Sequence, residues 1–136
     1  MITEDYVSYE TAKLLKERGF VVPYDSFRGV YINGEFLRRD PGRGYLHNMG
    51  DEIIDVCSIQ MAMKWLREVQ ALNIYARGVW KDVEVQYGDW EPVVVGYDWF
   101  VESLTDDTYS KMSKEQFLTY EEACEAAVKY CLEKLV

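Results

Sequence analysis

The chain has 136 residues, the length of one ordinary domain, and at 49% hydrophobic and 15% aromatic residues it can bury a core of its own. A net charge of -9 excludes general nucleic-acid binding, which needs a basic footprint. No stretch is long and apolar enough to span a bilayer, and the acidic opening Met1-Ile2-Thr3-Glu4-Asp5 does not read as a signal peptide. A cytoplasmic protein with no membrane attachment is therefore expected, occupying residues 1–136 as a single domain.

The first predicted helix starts at Ser8, a good N-cap, with Val7 and Ala12 placed as a hydrophobic staple across it. It runs over Thr11 to Arg18 and stops at Gly19, in the usual glycine position beyond a helix end. Val30-Tyr31-Ile32 and Glu35-Phe36-Leu37 flank Asn33-Gly34, the pattern of a tight β-hairpin. Asp40-Pro41-Gly42-Arg43-Gly44 reads as a turn or loop. Ile53 to Val56 is either a short strand or the approach to the next helix. That second helix is capped by Ser58 and carries Ile59, Ala62, Met63, Leu66 and Val69 on one face, widened by Met61 and Trp65.

Leu72 to Trp80 reads as extended chain, and Val83 to Tyr87 as an additional strand before a turn at Gly88-Asp89. Residues 93 to 102 alternate with the two-residue period of a half-buried strand. Residues 104 to 117 are polar and read as irregular. A third helix opens at Thr119, with Glu122 completing a capping box and Leu118 set against Ala123 as a staple. Ala123, Ala126, Ala127, Tyr130 and Leu135 supply its apolar face. The expected fold is α+β, three helices packed on a small antiparallel sheet in the order α-ββ-α-ββ(β)-α.

Three segments carry a resemblance: Tyr6-Val7-Ser8-Tyr9-Glu10-Thr11-Ala12-Lys13-Leu14-Leu15-Lys16-Glu17, then Met61-Ala62-Met63-Lys64-Trp65-Leu66-Arg67-Glu68-Val69, then Thr119-Tyr120-Glu121-Glu122-Ala123 followed by Tyr130-Cys131-Leu132-Glu133. With these the chain resembles a group of small uncharacterised proteins of gut anaerobes and of their phages and prophages. The resemblance covers the helices, about a third of the chain, and residues 21 to 57 and 81 to 117 depart from it. It implies no activity and no functional residues. It does imply a setting, that of a phage or mobile-element accessory protein, with any specific role in the variable middle.

Catalytic and metal chemistry have little to work with. The one histidine, His47, could pair with Cys57 as a thiol nucleophile, but neither lies in a nucleophile signature, and a structural cysteine is the commoner case. Cys124 and Cys131, seven residues apart on one helix, are too distant for a disulfide, and reduced, buried thiols are expected. Asp51, Glu52 and Asp55 could hold a hard cation but read more simply as solvated acids before a helix. No phosphate-binding glycine loop is present. The expectation is a non-enzyme without cofactor or metal.

Two charge anomalies remain. Residues 21–50 hold Arg28, Arg38, Arg39 and Arg43, four of the seven arginines, against three acids. Arg38, Arg39, Arg43, Tyr45 and His47 could form a pocket for an anionic nucleotide or cyclic nucleotide, or could simply be a solvated hairpin end. Residues 82–110 hold eight acids and no Lys or Arg, interleaved with Tyr87, Trp90, Tyr97, Trp99, Phe100 and Tyr109. Asp89, Trp90, Glu91, Asp98, Glu102, Asp106 and Asp107 would suit a basic protein surface such as the DNA-binding face of a nuclease, or could be an acidic sheet face over a core. The protein-binding reading of this acidic-aromatic segment makes the leading expectation a non-catalytic phage or mobile-element accessory protein that binds a basic host protein, with inhibition of a host defence factor as one concrete form; the nucleotide pocket is the alternative. Exposed aromatics and an edge strand are compatible with a homodimer.

Overall fold

A computed structural model describes residues 5–23, 29–38 and 50–136. Among these residues the architecture is α+β: three helices and two three-stranded antiparallel sheets, in the order α-βββ-α-βββ-α. The strands thus divide between two sheets, because Ile53–Val56 is a strand and pairs with the first hairpin.

Helix α1 spans Tyr9–Glu17, and the Ser8 side chain accepts from the Thr11 N–H at its start. Gly19 lies at φ +92 just beyond its end, a conformation that costs glycine nothing. Strands β1 (Gly29–Ile32) and β2 (Glu35–Arg38) form the expected hairpin. Asn33 and Gly34 both have positive φ, 50 and 84, as a type I′ turn requires. Strand β3 (Ile53–Val56) lies along the other side of β1. Gly29 is obligatory: a Cβ there would sit 2.4 Å from the Leu37 carbonyl oxygen and 2.9 Å from the Phe36 ring.

Helix α2 (Ile59–Val69) is capped by the Ser58 hydroxyl, which accepts from the Met61 N–H at 3.2 Å. Ile59, Ala62 and Leu66 are buried as expected, whereas Val69, at the last position, is 62% exposed. Strands β4 (Leu72–Gln86) and β5 (Asp89–Ser103) then form one long hairpin, with β6 (Ser110–Met112) against the base of β5. The two segments expected at Leu72–Trp80 and Val83–Tyr87 are therefore one continuous strand, and the polar stretch 104–117 contains a strand. At about 3.3 Å per residue the hairpin is roughly 50 Å long.

Helix α3 (Tyr120–Lys134) is capped by Thr119, whose hydroxyl accepts from the Glu122 N–H at 3.1 Å. Leu118 is 83% exposed and forms no staple with the buried Ala123. The α3 core face is built from Ala123, Cys124, Ala127, Val128, Cys131 and Leu132, all fully buried. It packs on β4, β5, α1 and α2. Arg18 Nε donates to the Leu132 carbonyl at 2.9 Å, and the Ser8 N–H donates to Glu125 Oε1 at 2.9 Å, so α1 is tied to α3 at both ends. One apolar cluster joins Leu15, Ile54, Val56, Leu66, Ile74, Trp99, Val101 and the α3 face.

The three cysteines are reduced and buried, as expected. Burial raises the Cys131 thiol to about 12. It raises Cys124 as well, against a hydrogen bond to Tyr120 that lowers it. Both are held protonated and inert. No helix among the described residues is long and apolar enough to cross a membrane.

Candidate functional site

The β4–β5 hairpin has a base and an arm. In the base, side chains alternate as a half-buried strand should. Leu72, Ile74, Trp99 and Val101 face the core, each 8% exposed or less. The opposite face carries a self-contained ladder. Asn73 Nδ2 donates to Glu102 Oε1 at 2.9 Å, Tyr75 stacks on Phe100 with centroids 5.0 Å apart, and the Arg77 guanidinium lies 4.5 Å over the Phe100 ring and 3.4 Å from Asp98.

Beyond Val79 the burial stops. Of residues 80–95 all are exposed except the half-buried Val93, so this part of the hairpin stands clear of the body by roughly 20 Å. A register shift between Val79 and Trp80 marks the root of the arm. Val79 pairs with Gly96 and Trp80 with Val94, so Val95 is the extra residue of a β-bulge. The bulge reverses the parity of β5. Trp80, Val94, Pro92 and Trp90 fall on the side of the sheet that faces the core lower down. Asp89, Glu91 and Val93 fall on the side of Asp98 and Glu102. Gly78 confirms the first group, since a Cβ there would meet Val94 at 3.3 Å and Trp80 Nε1 at 3.8 Å.

The arm displays an unusual set of side chains to water. Trp80 is 65% exposed, Trp90 61% and Tyr87, at the tip, 102%. Val83, Val85, Val94 and Val95 are also exposed. Four acids, Asp82, Glu84, Asp89 and Glu91, stand against the single Lys81. Glu84 Oε1 accepts from the Gly88 N–H at 3.0 Å and braces the Tyr87-Gly88 turn. Among the described residues the outer edge of β4 has no neighbouring strand, and over residues 89–95 neither has β5.

The seven acidic-aromatic residues singled out from sequence do not form one patch. Asp89, Trp90 and Glu91 lie together on the arm. Asp98 and Glu102 share the outer face but sit in the base, each engaged by a neighbour on β4. Asp106 and Asp107 lie in the β5–β6 turn at the other end of the strand. Asp106 Oδ1 accepts from the Thr108 N–H at 3.0 Å and from its hydroxyl at 2.6 Å, which holds the carboxyl below its ordinary value. Trp99 belongs to the core. Trp80, outside the acidic stretch, belongs to the arm, and the apolar alternation through Ala76, Gly78 and Trp80 was its signal.

Of the arginine group, Arg38 is exposed at the end of β2, while Arg39, Arg43, Tyr45 and His47 lie outside the described residues, as does the loop expected at Asp40–Gly44. Cys57, the suggested partner of His47, is 1% exposed. Glu52 accepts from the Tyr9 hydroxyl and lies 3.8 Å from Lys13, and Asp51 accepts from Asn33 Nδ2 at 3.0 Å. Among the described residues no three His, Cys, Asp or Glu side chains converge as a metal site would need.

A second concave feature lies at the root of the arm. The segment 113–117 is clamped to β5 at two points. Ser113 Oγ accepts from the Trp99 N–H at 3.1 Å while the Ser113 N–H donates to the Trp99 carbonyl at 2.9 Å. Phe117 and Tyr97 exchange two backbone hydrogen bonds of 2.8 Å. Gly96 permits this approach, since a Cβ would lie 3.2 Å from the Phe117 carbonyl oxygen. Between this wall and α3 is a cleft of about 610 Å³. Comparison with protein-family models, curated proteins and solved structures returns no match.

Proposed function

We infer that the protein is a non-catalytic binding module that grips a basic surface of a partner protein with the β4–β5 arm. The observation that carries this reading is the exposure of Trp80, Tyr87 and Trp90 on an arm that buries nothing of its own body. Aromatic side chains left in water at this density contribute little to folding, and they are the side chains that dominate protein–protein contacts. The four acids beside them select a positively charged partner and speed the encounter with it. The register puts Asp82 and Glu84 on the face of Trp80 and Trp90, and Asp89 and Glu91 on the other, so a partner docked on the tryptophan face meets acids there, and one that pairs with the open edge meets both sets. The resemblance of the helices supplies the setting of a phage or mobile-element accessory protein in the cytoplasm, in which a basic host defence factor is the concrete target.

The test is capture of partner from lysate of the organism that carries the sequence, with the intact chain, the Trp80→Ala/Trp90→Ala variant and the Arg38→Ala variant side by side. The intact chain and Arg38→Ala should retain one stoichiometric protein at low salt and lose it at about 1 M salt, where the Debye length falls to about 3 Å. The double tryptophan variant should retain none. Equal capture by all three chains would sink the reading.

A further inference from the structure

We propose that the cleft between β6, the 113–117 wall and α3 is a separate binding site for a small anion joined to a flat ring, of the size and chemistry of a nucleoside monophosphate or an aryl carboxylate. Its volume of about 610 Å³ lies in the ordinary range of small-molecule sites. Three rings line it: Trp99, Phe117 and Tyr130. Trp99 and Tyr130 pack with centroids 5.1 Å apart at a tilt of 38°; Trp99, 6% exposed, closes the bottom of the cleft, and the half-buried Tyr130 and Phe117 are the rings that an incoming group can reach. Such an aromatic floor suits a planar group, which it can meet without regard to the ring's hydrogen-bonding pattern.

The rim supplies charge of the opposite sign to the rest of the chain. Lys111, Lys114 and Lys129 line the cleft, against Glu115 and Glu133. Lys129 is already engaged, 2.5 Å from Glu10 and 4.0 Å from Glu133. Lys111 and Lys114 have no ion-pair partner among the described residues, so two ammonium groups are left for an incoming anion. Lys111 pairs with Val101 across β5–β6, which places it on the core-facing side, over the cleft. Lys114 is carried by the turn that Ser113 pins to Trp99, its hydroxyl donating to the Glu115 carbonyl at 2.9 Å. The cleft walls are thus fixed before a ligand arrives, which lowers the ordering cost of binding. Charge-assisted hydrogen bonds from the two lysines would hold the phosphate or carboxylate, and the aromatic floor would hold the ring.

This site is independent of the arm, and its test is arranged to keep the two apart. Titration calorimetry is run with adenosine monophosphate, guanosine monophosphate, indoleacetate, adenosine alone and inorganic phosphate alone. At least one ligand carrying both ring and anion should bind saturably and more tightly than adenosine or phosphate. A nucleotide-only response identifies phosphate as the anion, and an indoleacetate-only response identifies carboxylate. Lys111→Gln and Lys114→Gln should each weaken that ligand by roughly tenfold, with melting temperature unchanged. Trp80→Ala/Trp90→Ala should leave its affinity as it was. Absence of saturable binding across the panel overturns the proposal. So does binding that survives in the Lys111→Gln/Lys114→Gln variant, or binding that vanishes with the arm tryptophans.

Discussion

If the arm serves a partner and not the fold, it can be removed without harm to the body. The perturbation is excision of residues 80–95, with Val79 and Gly96 rejoined through a short Asn/Gly turn. Fifteen of those sixteen residues are exposed and none is buried, so their loss withdraws no fully buried side chain from the core. A two-stranded hairpin in water is marginal by itself, so the arm's own free energy of formation is close to zero. The excised chain should therefore keep its stability to within about 1 kcal/mol, and its urea m-value should barely change, because the removed surface is exposed in both states. By contrast Leu132→Ala, at a fully buried α3 position, should cost about 2–5 kcal/mol. The assay is urea denaturation followed by circular dichroism, supported by thermal melts. A loss above about 3 kcal/mol on excision, or a clear fall in m-value, would mean that the arm packs on the body, and the argument from exposure would fail.

Further outcomes follow from single contacts. Ser58→Ala removes the α2 cap and should cost about 1 kcal/mol, read by the same urea titration, with Ser58→Asp costing less. Gly29→Ala places a Cβ 2.4 Å from the Leu37 carbonyl oxygen and should destabilise the β1–β2 hairpin by about 1–3 kcal/mol, read by the same titration. The native protein should resist a thiol reagent at pH 8 and react at Cys124 and Cys131 only in denaturant, since burial holds both thiols protonated, Cys131 at about 12. Glu10 is held below its ordinary 4.5 by its hydrogen bond to Lys129. A depressed carboxyl stabilises above its ordinary value and ceases to do so as pH falls through the lowered one. Glu10→Gln should therefore give a small loss at neutral pH that fades as pH falls below 4.5 and through the lowered value.

The helices were legible because their ends are written in local chemistry. Ser8, Ser58 and Thr119 each cap the helix they precede, and Gly19 and Asn33-Gly34 adopt the positive φ their positions demand. The hairpin's reach was not legible. Val83 to Tyr87 and Leu72 to Trp80 look like separate strands because Lys81-Asp82 interrupts the apolar pattern, yet an arm with both faces in water has no need of alternation. The acidic patch misled for a related reason. Sequence parity sets Asp89 and Glu91 opposite Asp98 and Glu102, and only the bulge at Val95 brings all four to one face, while Asp106 and Asp107 are carried to the far end. The cleft left no sequence signal, because Trp99, Lys111, Phe117 and Lys129 come from four segments that only the clamps at Ser113 and Phe117 bring together.

The most direct measurement on the arm as a docking site is site-specific photo-cross-linking. A photoreactive residue is placed at Tyr87, the fully exposed tip, and separately at Val21, 80% exposed on the body, and each chain is irradiated in lysate of the organism that carries the sequence. The account predicts one dominant adduct from Tyr87, to a protein with a basic surface, absent from Val21 and suppressed at about 1 M salt. Adducts that form equally from both positions, or none from Tyr87 while Val21 yields one, would contradict it.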